Sequence, residues 1–213
     1  INGSSGNDVK GNYIGTASDG SSFVTGGSQD IGVYITGTSP SNTVGGTGTA
    51  DGNVISGNTA TGVSVNTSDN VVAGNMIGPA KNGSSFVGGQ QTGIYITGAS
   101  NTIGGTTLAG KNTISANDDF GILLQAASCS LNVIKGNYIG LDSTGTSFIA
   151  TSHQDMGIEF NLTCAGNNTV GGTGANEGNV VSGNYNDVTP TQGTGVYSIS
   201  STGTNTIVQN IIG

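Results

Sequence analysis

Few residues of this 213-residue chain have the types and spacing to do chemistry. His153 is the single histidine, in Ser-His-Gln-Asp, with Asp155 two residues on. A histidine beside a carboxylate can relay protons, but no Ser or Cys nucleophile motif accompanies it. Asp118-Asp119 is the one adjacent acidic pair. Paired carboxylates can serve glycoside hydrolysis or calcium binding; here they stand at a turn before Gly121, where solvation alone accounts for them. One His and two separated Cys do not make a zinc site. The chain is therefore expected not to be an enzyme, and to carry no catalytic residue, cofactor or metal.

Composition narrows the partners. The net charge is -8, arginine is missing and Lys numbers only 4, so no basic patch suits nucleic acid. No apolar run approaches the length of about 18 residues that a membrane span needs, so membrane insertion is not expected. Glycine supplies 40 residues, and Ile plus Val number 36 against 6 Leu. β-branched residues suit strands, and little remains that favours helices.

The asparagines are different, because they recur. The phrase NDVKGNYIG (Asn7 to Gly15) returns as NVIKGNYIG (Asn132 to Gly140) and as NTIVQNIIG (Asn205 to Gly213). Asn followed two residues later by Val or Ile forms one series at Asn7, Asn42, Asn70, Asn101, Asn132, Asn168 and Asn205. A second series runs through Asn12, Asn53, Asn75, Asn112, Asn137, Asn179 and Asn210. Between them stands a Gly followed by an aliphatic, as in GVYI at Gly32 and GIYI at Gly93. The three markers interleave in fixed order, with a cycle of 28 to 38 residues. The gap between the paired Asn runs 5, 11, 5, 11, 5, 11, 5, so two kinds of cycle alternate.

Three short strands per cycle, with no hairpin turn between them, can pair only with the equivalent strand one cycle later. That predicts an all-β fold: a right-handed, single-stranded parallel β-helix of about seven three-strand coils, as one domain over 1–213. Coils about 4.8 Å apart make a rod of roughly 29 Å. The aliphatics two residues after each Asn point inward, and both Asn series stack as structural ladders at the bends. Cycles with the short gap carry a long arm after the second Asn, each with one Phe (Phe23, Phe86, Phe148); the others carry a small insert between the pair. The outward row Tyr13, Val54, Met76, Thr113, Tyr138, Val180, Ile211 is mostly apolar, so the Phe-bearing arms are expected to fold back over it. Cys129 precedes Asn132 by three and Cys164 precedes Asn168 by four. They occupy nearly the same corner of adjacent coils, within disulfide reach; two buried thiols are the alternative.

GNYIG, NTVGG, GNVISGN and GVYITG resemble the right-handed parallel β-helix repeats of bacterial and archaeal cell-surface and secreted proteins, and the resemblance spans essentially the whole chain. It implies the fold. That fold hosts lyases, polygalacturonases, tailspikes, adhesins and passive spacers. Lyases of this shape use an Arg or Lys base with calcium carboxylates, yet Lys10, Lys81, Lys111 and Lys135 have no carboxylate cluster near them in sequence. Of the polygalacturonase pattern only Asp118-Asp119 matches.

The expectation is an extracellular or cell-surface structural protein: part of a fibre, filament, sheath or adhesin stalk. Its partners would be further copies stacked end to end or flanking repeats of a longer chain, since neither end carries a helix, Pro or charge cluster as a cap. A carbohydrate-binding or polysaccharide-processing module is the second reading, with Tyr34, Tyr95 and Tyr197 stacking on a surface polysaccharide. Ice binding would need an unbroken Thr row; Asp8, Val71 and Val133 interrupt Thr43, Thr102, Thr169 and Thr206.

Overall fold

A computed structural model describes residues 1–24, 26, 29–149, 154–161, 163–185, 193–199 and 203–213. The chain winds as a parallel β-helix with three sides. The first side stacks Asp8–Val9, Thr43–Gly45, Val71–Ala73, Thr102–Ile103, Val133–Ile134, Thr169–Gly171 and Thr206–Val208. The second stacks Tyr13–Ile14, Val54–Ile55, Met76–Ile77, Thr113–Ile114, Tyr138–Ile139, Val180–Val181 and Ile211–Ile212. The third is made of five-residue strands: Ile31–Ile35, Thr61–Val65, Thr92–Ile96, Phe120–Leu124, Met156–Phe160 and Thr194–Ser198. All strand pairs are parallel and each joins one coil to the next.

Strands this short have no helix to cover them, so the interior is filled by the sheets facing one another. Val44, Val72, Ile103, Ile134 and Val170 line the inner face of the first side, and Ile55, Ile77, Ile114, Ile139 and Val181 that of the second, all fully buried. The third side adds Ile35, Val65, Ile96, Leu124 and Phe160. Each fully buried aliphatic contributes about 1.5–3 kcal/mol, and register is pinned because a one-residue slip would turn every one of them outward. Among the described residues no helix is long and apolar enough to cross a membrane; the sole helical element is the 3-10 turn Leu108–Gly110.

Corners between sides three and one are tight. The residue before the first-series Asn is left-handed in five successive coils: Ser41, Asp69, Ser100, Leu131 and Asn167, at φ 57–68°. A β-carbon there costs roughly 1–2 kcal/mol, so the corner needs a compensating bond, which the following Asn supplies.

Candidate functional site

At both predicted corners the asparagines form continuous ladders. Asn42 Oδ1 accepts from the backbone N–H of Asn7 at 2.9 Å and from its Nδ2 at 2.8 Å. The same doubled bond joins Asn42 to Asn70, Asn70 to Asn101, Asn101 to Asn132, Asn132 to Asn168 and Asn168 to Asn205. The second ladder repeats it from Asn12 through Asn53, Asn75, Asn112, Asn137 and Asn179 to Asn210. Each Nδ2 of the central second-ladder members also donates to a carbonyl of the bent backbone, as Asn75 does to Val44 at 2.9 Å. Along each ladder the amide-to-amide direction is uniform: each Oδ1 accepts from the coil before it.

A third ladder runs up the corner before side three. Gln29 Nε2 donates to Asn58 Oδ1 at 2.8 Å, Asn58 Nδ2 to Gln90 Oε1 at 2.8 Å, and Gln90 Nε2 to Asn117 Oδ1 at 3.0 Å. Asn117 Nδ2 then donates to Gln154 Oε1 and Gln154 Nε2 to Asn184 Oδ1, each at 2.8 Å. Glutamine stands where an arm precedes the corner, asparagine where it does not. Asn58, Asn117 and Asn184 each follow the second-series Asn by five residues, a spacing that would have exposed the column. The glycine markers explain themselves here. A Cβ on Gly93 would stand 2.6 Å from the Gly121 carbonyl and 2.9 Å from Asn117 Nδ2, so the amide column needs a glycine column beneath it.

Cys129 and Cys164 are bonded to each other, with Cα atoms 5.0 Å apart, both buried at the first corner. Their loop closes one coil. His153 lies outside the described residues. Among the described residues no three His, Cys, Asp or Glu side chains gather as metal ligands. Tyr34, Tyr95 and Tyr197 do lie on one outward row of side three, but Ser64 separates the first two and Leu123 and Glu159 the last two, so no two are adjacent. The Thr row of side one is interrupted as the sequence indicates.

The arms correct one expectation. They do fold back over the outward row of side two, but not with their phenylalanines. Phe23, Phe86 and Phe148 remain 45%, 37% and 68% exposed. Phe23 and Phe148 lie instead beside Gly57 and Gly183 of the next coil. The covering is done by the glycine turn at each arm's tip: a Cβ on Gly20 would sit 3.1 Å from the Tyr13 ring, and on Gly145 2.6 Å from the Tyr138 ring. A flat glycine face fits over an aromatic ring where a bulkier residue would not. The arms also bond to one another, Lys81 N–H to the Gly20 carbonyl at 2.9 Å and Ser143 N–H to the Gly83 carbonyl at 2.8 Å.

Opposite the arms stand the inserts, and between the two walls lies a groove of about 690 Å³. Its floor is Tyr13, Val54, Met76, Thr113 and Tyr138; Lys81, Asn82 and Ser143 come from the arms, Thr49, Leu108 and Lys111 from the inserts. Lys81 Nζ lies 5.7 Å from the Tyr13 ring centroid and Lys111 Nζ 5.0 Å from that of Tyr138. Lys111 also donates to the Gly136 carbonyl at 3.2 Å, and burial lowers its pKa below the usual lysine value. The other two lysines are neutralised: Lys10 pairs with Asp8 at 3.2 Å and Asp51 at 3.9 Å, Lys135 with Glu177 at 2.9 Å.

Compared with known protein families, curated proteins and solved structures, the chain gives no significant match to any.

Proposed function

We propose that this chain is an extracellular structural repeat protein, a rod segment of a cell-surface fibre, filament, sheath or adhesin stalk that extends coil on coil, either against further copies or against flanking repeats. The observation that carries this reading is the common polarity of the three ladders. In each ladder the amide donates forward and its oxygen accepts from behind, so every added coil meets the ladder ends it itself presents. Asn184 Nδ2 illustrates the demand: it is buried without a hydrogen-bond partner among the described residues, while the same atom of Asn58 and of Asn117 donates forward to a glutamine at 2.8 Å. An unmet buried donor costs about 1–3 kcal/mol, which favours a further coil bearing an acceptor. The Cys129–Cys164 bond supports an oxidising, extracellular setting.

Electron microscopy of the purified protein over a range of concentrations tests the reading. Linear particles one rod wide, growing in length with concentration, are the expected result. Asn184→Asp keeps the acceptor for Gln154 but removes the forward donor, and shortens them. Rods of fixed length that ignore both concentration and this substitution would overturn the proposal.

A further inference from the structure

Lys81 and Lys111 are departures from the repeat. At the position of Lys81 the other two arms carry Ser18 and Ser143; at the position of Lys111 the other two inserts carry Gly52 and Gly178. Nothing in the fold therefore requires a lysine at either place. Both departures fall in the middle of the rod, one on each wall of the same groove. In a chain of net charge -8, neither has a carboxylate within ion-pair distance among the described residues, although Asp19 is near enough to Lys81 for its carboxyl to feel the charge. The central insert differs from its neighbours in a second way. The outer inserts are closed by a carboxylate, Asp51 on Gly48 N–H at 3.0 Å and Glu177 on Gly174 N–H at 2.8 Å. The central one is closed by the neutral Thr107 hydroxyl on Gly110 N–H at 3.1 Å, and it carries Leu108, 78% exposed at the groove rim.

We propose that this groove binds an extended anionic glycan, a carboxylate-bearing oligosaccharide, along the axis of the rod. The floor from Tyr13 to Tyr138 spans four coil steps, about 19 Å at the spacing of stacked strands. That is room for several sugar rings. Lys81 and Lys111 supply ammonium donors for carboxylates from opposite walls. Met76, Leu108 and the tyrosine rings meet the C–H faces of the sugars, and Asn82, Thr113 and Ser143 lie within the same lining for their hydroxyls. An acidic peptide fits less well. The backbone amides of the floor strands are already spent on the neighbouring coils, so the groove offers no strand edge on which a peptide could pair. Nucleic acid would need many more cations than two. The site is lateral, so it does not depend on the rod reading: filaments can fail to form with the groove intact, and the reverse.

Titration calorimetry with hexameric oligouronates tests it, beside a neutral hexasaccharide and hexaglutamate as comparison probes. The sister repeats supply substitutions the fold already accepts: Lys81→Ser and Lys111→Gly. Saturable oligouronate binding is expected, weakening with salt, with the neutral sugar and hexaglutamate each at least about ten-fold weaker. Each single substitution is expected to lose about ten-fold and the double variant to abolish binding, the size of effect a charge-assisted hydrogen bond carries. No saturable oligouronate binding at millimolar concentration would overturn the proposal. So would equal affinity for the neutral sugar or for hexaglutamate, or a folded double variant that binds as the parent does.

Discussion

The corners flanking side one and the corner before side three solve one problem in two ways. At the first two, each Asn Oδ1 accepts two bonds from the preceding coil, one from the backbone N–H and one from Nδ2. The backbone fixes where that oxygen must be, so asparagine is needed in every coil. At the third, successive members are joined side chain to side chain, with Gln90 Nε2 adding a 3.4 Å bond to the Ile55 carbonyl, and Asn alternates with Gln according to whether an arm precedes. A repeat is strict where a bent backbone must be satisfied, and permissive where side chains only need to meet.

The largest expected effect is at the first corner. Asn132→Leu leaves the backbone N–H and Nδ2 of Asn101 without their acceptor. Two unmet buried donors cost about 4 kcal/mol, readable as a fall in urea midpoint. Gln90→Leu at the third corner removes one acceptor from Asn58 and one donor from Asn117. With no backbone group orphaned by the ladder itself, about 2 kcal/mol is expected. Equal losses at the two sites would break the distinction.

Glu159 sharpens it from the third side. Burial raises its pKa above the usual glutamate value, against a smaller opposing bond from Asn161. A raised folded-state pKa means that ionisation destabilises the fold. That contribution is intact below the unfolded value of 4.5 and is lost as pH rises through the folded one. Glu159→Gln should therefore be more stable than the parent at neutral pH, the advantage fading in thermal melts as pH falls into the glutamate range. The smallest effect returns to the first corner. Leu131, exposed and at φ 59°, gains nothing from its side chain there. Leu131→Asn should stabilise by about 0.5 kcal/mol, because asparagine tolerates the left-handed region; a loss would mean that Leu131 packs against something.

Much of this was legible before any coordinates. Asn-x-aliphatic exposes the first two ladders because the ladder residue and its core residue are two positions apart on one short strand. The third ladder hid because its members alternate in type: Gln stands two residues before its strand and Asn five residues after the second-series Asn, so neither spacing repeats in every coil. The arms misled for a related reason. Apolar area pointed to Phe23, Phe86 and Phe148 as the covers for Tyr13 and Tyr138, whereas shape selected the glycine turns at the tips.

The sequence by itself determined the coil, since period, alternation of inward Val and Ile, and amide at each bend are set by neighbours along the chain. The tertiary structure alone decided the groove. Lys81 and Lys111 are 30 positions apart on different coils, and two single departures from a repeat carry no pattern to read. They become a pair only when the stacking of coils sets the second arm and the second insert on opposite walls of one floor.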